Sequence, residues 1–83
     1  MPLFMDHHHH IDGLTKKAIM EAHQKDLQTQ AKYGVKFLNY WFDEGTGQAF
    51  CLAEGPTKEA VAKVHRESHG LLADDITQVQ QGS

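Results

Sequence analysis

Val35-Lys36-Phe37-Leu38-Asn39-Tyr40-Trp41-Phe42-Asp43 runs into Glu44-Gly45-Thr46-Gly47 and then Gln48-Ala49-Phe50-Cys51-Leu52-Ala53-Glu54. Two apolar and aromatic runs joined by four turn-forming residues read as a β-hairpin. Strict alternation sets Val35, Phe37, Asn39 and Trp41 on one face and Lys36, Leu38, Tyr40 and Phe42 on the other. Both faces then carry large apolar groups, so each of them needs a cover.

Working outward, a helix is expected on either side of the hairpin. Upstream, Thr15 is placed as an N-cap, and Ile19, Ala22, His23, Leu27 and Ala31 recur at helical spacing over about residues 16–32, with Gly34 ending the helix. Downstream, Thr57 opens a second helix reaching about residue 69, whose inward stripe is Ala60, Val61, Val64, His65 and Ser68, and Gly70 closes it. The ends of the chain add two strands, at about residues 2–9 and 76–80. The order is βαββαβ, which predicts an α+β, ferredoxin-like single domain over residues 1–83. Two helices cover one face of a four-stranded antiparallel sheet. The bare face is expected to pack on a second copy, making a dimer through the open sheet; the competing arrangement is a monomer with a ligand on that face.

Composition narrows the function classes. Eight basic against eleven acidic residues give a net charge of −3, which lacks the basic face of a nucleic-acid binder. No apolar run approaches the roughly 18 residues of a membrane span. No basic segment followed by an apolar one opens the chain as a leader would. A single cysteine excludes an internal disulfide framework and points to a reducing, cytoplasmic setting. No Ser–His–Asp order, phosphate loop, CxxC or dinucleotide fingerprint is present. Seven histidines in 83 residues are the outlier.

Four of these, His7-His8-His9-His10, follow Asp6 at the end of the first strand, in a run that is either native or owed to cloning. Alternation sets Phe4, Asp6, His8 and His10 on one side and Leu3, Met5, His7 and His9 on the other. A carboxylate and imidazoles on one strand face offer O and N ligands to nickel, zinc or copper. His65 and His69, four residues apart on the second helix, share a helix face and can reach one ion. His65-Arg66-Glu67-Ser68-His69 is not a zinc-protease helix, because the glutamate does not follow the first histidine directly. His23 lies on the inward stripe of the first helix, where a histidine bonded to a backbone carbonyl is the ordinary reading and metal ligation, as for His7 and His9, the less favoured one. Cys51, between Phe50 and Leu52, reads as a buried structural cysteine, with soft metal ligation as the alternative. Tyr40 reads as sheet packing that brings a hydroxyl near any site on its face.

Taken together, Phe4-Met5-Asp6-x-His8, Tyr40-Trp41-Phe42-Asp43-Glu44, Phe50-Cys51-Leu52, Val64-His65-Arg66-Glu67-Ser68-His69-Gly70 and Ala73-Asp74-x-Ile76 give the chain its likeness. It resembles, over essentially its whole length, a family of small bacterial proteins catalogued as a domain of unknown function. That family includes nickel-binding members with a ferredoxin-like fold that form dimers. The resemblance implies a dimer and nickel or a similar divalent ion, with Asp6, His8, His65 and His69 as candidate ligands. Histidines at His7, His9 and His10 depart from the family's pattern and either enlarge the site or decorate it.

Three functions follow from these readings. The first is a metal-binding protein that stores, delivers or senses nickel and is not an enzyme. The second is a small dimeric barrel enzyme of oxygenase or isomerase type, with His23, His65 and Tyr40 lining a pocket. The third is a dimerisation module with no ligand.

Overall fold

The structure, a computed structural model, describes residues 1–82. It contains β1 (Leu3–His8), α1 (Lys16–Thr29), a short 3₁₀ turn (Gln30–Tyr33), β2 (Lys36–Asp43), β3 (Gln48–Glu54), α2 (Lys58–Ser68) and β4 (Asp75–Val79). The four strands form one antiparallel sheet in the order β2-β3-β1-β4, the ferredoxin-like arrangement expected from the element order.

Both helices begin where a threonine captures an orphan backbone donor. Thr15 Oγ1 accepts from Ala18 N and Thr57 Oγ1 from Ala60 N, each at 3.1 Å. The first helix ends earlier than its apolar spacing suggests. Its last turn tightens to 3₁₀ geometry over Gln30–Tyr33, and Gly34 leaves it at φ 68°. The chain reverses there because Gly34 N and Val35 N return to the carbonyls of Ala31 and Gln30.

Strand β2 does not alternate as a plain reading predicts. The register against β3 shifts between Phe37 and Asn39, so a bulge inserts one residue. The Phe37 N–H is taken by the Gln30 side chain at 2.8 Å, which ties the bulge to the end of α1. Beyond it Tyr40 pairs with Cys51 and Phe42 with Ala49, while Trp41 pairs with Phe50. Phe37, Tyr40 and Phe42 therefore lie on the helix side, and Trp41 lies opposite. This corrects the expectation that Phe37 and Trp41 share a face and that Leu38 accompanies Tyr40; one extra residue reverses the parity of the strand.

The helix side of the sheet holds the core, in which Phe4, Val35, Phe37, Cys51, Ala53, Val61 and Val64 are buried together. The other side presents Leu3, Met5 and His7 from β1, Phe50 and Leu52 from β3, and Trp41, with Val79 beside Leu3. Trp41 remains 49% exposed there. Among the described residues, no helix is long and apolar enough to cross a membrane.

Candidate metal centres

Alternation along β1 divides the histidine run. Phe4, Asp6 and His8 turn toward the helices and are buried, while Leu3, Met5 and His7 turn to the open face. Asp6 is fully enclosed, which an isolated carboxylate tolerates poorly. Its compensation comes from three directions. His65 Nε2 donates to Oδ2 at 2.6 Å, the Cys51 backbone N–H donates to Oδ1 at 3.2 Å, and His8 Nε2 stands 3.5 Å from Oδ1.

The other ring nitrogen of His65 donates to Asp26 Oδ1 at 3.0 Å. Asp26, on the inner face of α1 and only 2% exposed, also accepts from Ser68 Oγ at 2.6 Å and from His69 Nε2. The Leu71 N–H donates to His69 Nδ1, so His69 is the neutral tautomer with its proton on Nε2. His65 faces a carboxylate on each nitrogen and is therefore an imidazolium. Burial opposes its charge, but the bonds to Asp26 and Asp6 outweigh burial and push its pKa up to about 12. Burial likewise opposes an ionised Asp26, yet the bonds from His65, His69 and Ser68 hold its pKa well below the usual carboxylate range.

Cys51 completes this interior. One donor atom from each of Asp6, His8, Cys51 and His65 lies within 4.8 Å of the others, and Asp26, His65 and His69 form an overlapping trio. Burial pushes the Cys51 thiol up to about 11, so it is protonated. Burial also lowers the His8 pKa, against the pull of Asp6. A cavity of about 20 Å³ adjoins the cluster, lined in part by His8, His23, Tyr40, Cys51 and His65. His23 stacks against Tyr40 at 4.5 Å between ring centroids, and its buried Nδ1 has no partner among the described residues. Burial lowers its pKa.

A second cluster lies outside. His7, His9 and Asp75 also bring donor atoms within 4.8 Å of one another, with His9 and Asp75 exposed. His9 Nε2 bonds Asp75 Oδ2 at 2.6 Å, and the His9 N–H donates to Asp74 Oδ2 at 2.7 Å. His7 stacks on Phe50 at 4.2 Å and uses its Nε2 on Gln48. His10 stands apart from both clusters. Its ring bonds the Thr46 carbonyl and Asp12, in that order of effect, and both raise its pKa.

The structure thus brings Asp6, His8, Cys51 and His65 together, links His69 to them through Asp26, and leaves His10 elsewhere. Two acidic residues of these clusters went unremarked in the sequence. Asp26 carried a signal, since it follows Ile19 by seven residues and His23 by three, on the inward stripe of α1. Asp75 carried none, because only the β1–β4 register places it opposite His7.

A family model described as "Nickel responsive protein SCO4226-like" matches residues 4–79. The crystal structure of SCO4226 from Streptomyces coelicolor A3(2) superposes with a TM-score of 0.89 at 40% identity, over 98% of this chain and 99% of that one. No curated protein matches the chain.

Proposed function

The chain belongs to the SCO4226-like family of nickel-responsive proteins, and from that premise we propose that it binds nickel in order to store, deliver or sense the ion, not to catalyse a reaction. The observation that carries this reading is the convergence of His7, His9 and Asp75 at the edge of the open sheet face. Two imidazoles and a carboxylate are suitable donors for nickel, and three protein ligands leave positions for water in a tetragonal or octahedral shell. His9 and Asp75 are exposed, so the ion can exchange. The interior cluster, by contrast, is enclosed, with Asp6 and His65 buried, so an ion there would not exchange readily. Zinc and copper suit the outer donors as well, so selectivity would depend on coordination geometry and supply.

An enzymatic role has less support. The cavity beside His23 and Tyr40, about 20 Å³, holds roughly one water and no organic substrate. The open sheet face, with Leu3, Met5, Phe50, Leu52, Trp41 and Val79, supports pairing of two copies, which would set the His7 cluster at the rim of the interface.

The test is nickel-dependent melting of chelator-stripped protein. A ligand that binds only the folded state stabilises it by about 2.7 kcal/mol at a hundredfold excess over Kd. His7→Ala with His9→Ala should remove the rise in Tm, and His10→Ala should keep it. An unchanged Tm in the wild-type protein would end the nickel reading; a rise that survives the double substitution would end this placement of the ion.

A further inference from the structure

The interior cluster takes no part in the outer nickel site, yet its donor atoms have the layout of a metal centre. We propose that Asp6, His8, Cys51 and His65 form a second, buried site for a tetrahedral divalent ion of the zinc class, with Asp26 orienting His65.

The donors come from three elements, β1, β3 and α2, and enclose one point from different sides. Bonds of about 2.0–2.3 Å to a tetrahedral zinc set neighbouring donors roughly 3.3–3.8 Å apart. The observed atoms all lie within 4.8 Å of one another, so the wider pairs would close by up to about 1.5 Å, while His65 Nε2 and Asp6 Oδ2, 2.6 Å apart, would open by about an ångström or less. His65 already has the orientation a ligand requires. Its Nδ1–H is held by Asp26, and Asp26 is fixed in turn by Ser68, so Nε2 is presented to Asp6. A carboxylate behind a histidine is the usual support for a metal-bound imidazole. The His8 side chain is only 6% exposed, and its Nε2 stands 3.5 Å from Asp6 Oδ1. An imidazole so placed beside a carboxylate is suited to ligation.

The charge of the interior is the same in both states. Without the ion, Asp6 and Asp26 carry −1 each and His65 +1, so the buried groups sum to −1. On binding, the dication displaces the imidazolium proton from His65 and the thiol proton from Cys51, and both protons leave to solvent. The dication with two carboxylates and one thiolate again sums to −1. The exchange therefore adds no net charge to the interior, the usual obstacle to a buried ion. The adjoining cavity, about 20 Å³, has room for an ion but not for the waters that a five- or six-coordinate nickel keeps. Four protein donors and no water favour zinc. His8, Ile11 and Leu71 line both this cavity and an outer cleft that also holds His10, Asp12 and Asp74, so the two adjoin across those side chains.

The test uses the full chain with His7→Ala and His9→Ala, stripped of metal and titrated with cobalt(II) as a spectroscopic substitute for zinc. Cys51 is the only cysteine, so a thiolate-to-cobalt charge-transfer band reports that residue alone. One equivalent per chain should produce this band together with intense tetrahedral d–d absorption, and one equivalent of zinc should abolish both. Cys51→Ser should remove the band, and Asp26→Asn should weaken zinc binding by about 10–100-fold, as loss of an outer partner does. Bound cobalt without the band, or no binding by the folded double variant, would overturn the proposal and leave the cluster as an ion-pair network. The band in wild-type protein decides the matter if the double variant does not fold. Nickel-dependent melting is read separately in the wild-type protein, so either proposal can fail alone.

Discussion

Replacing Asp26 with alanine should destabilise the fold more than any surface change, because Asp26 is the buried acceptor on which three donors converge. His65 Nδ1 at 3.0 Å, Ser68 Oγ at 2.6 Å and His69 Nε2 lose their common partner. The buried His65 imidazolium then keeps only Asp6. Removing one member of a buried charged pair costs about 3–5 kcal/mol. A chain of 83 residues is expected to be stable by roughly 4–12 kcal/mol in total, so the loss is a large share of it. With roughly 4–8 °C per kcal/mol for a domain of this size, Tm should fall by about 12–40 °C. The pH dependence is the sharper test. The folded pKa of Asp26 is depressed below its ordinary 3.8, so its contribution is present above that value and is lost as pH falls. The folded pKa of His65 is raised from 6.5 to about 12, so its contribution is complete below pH 6.5 and declines as pH rises toward 12. The difference between wild type and variant, measured by urea unfolding followed by circular dichroism, should therefore be largest between about pH 4 and 6.5. Lys32→Ala is the control: it breaks a 2.7 Å pair with Glu67 whose side chains are 62% and 41% exposed, and should leave Tm nearly unchanged. A cost for Asp26→Ala below about 1 kcal/mol, or one that does not change between pH 5.5 and 2.5, would refute the network as described.

Two further outcomes follow from the turn and the open face. Gly47 sits at φ +77°, and an added Cβ would stand 2.6 Å from His10 Nδ1 and 3.1 Å from the Ile11 carbonyl. Gly47→Ala should cost about 1–2 kcal/mol in thermal unfolding, and His10→Ala should not rescue it, since the left-handed backbone is the obstacle; full rescue would refute that account. Trp41→Glu places a charge in the open apolar face, so in sedimentation equilibrium it should convert a dimeric wild type into folded monomers, whereas a wild type that is already monomeric would sink the pairing of sheets.

The architecture was legible because each element carries its own punctuation. Thr15 and Thr57 mark helix starts, Gly34 and Gly70 mark reversals, and the apolar runs flanking Glu44-Gly45-Thr46-Gly47 could only be a hairpin. The parity of β2 was not legible. The sequence holds no mark of the bulge after Phe37, which depends on the Gln30 side chain reaching Phe37 N from another element. The site was legible in half. Asp6, His8 and His65 announce themselves by residue type and period, but what they do depends on Asp26, which sits on the inward stripe of α1 and gains its partners only when α2 is packed against it.

The opposed faces of β1 explain why one short run of histidines divides into different chemistries. A period of two sends His8 inward to Asp6 and His7 outward to Asp75, although adjacent Cα atoms are only about 3.8 Å apart. Inside, low dielectric and committed hydrogen bonds make proton and metal competitors for one enclosed place, so any ion there exchanges slowly. Outside, water would complete the shell of an ion held by His7, His9 and Asp75, and exchange would be fast. A nickel-responsive protein needs the second behaviour to follow the concentration of the ion, and the first would serve only to hold the fold. Substitutions at His7 and at His8 should accordingly separate response from stability, although the residues are neighbours in the chain.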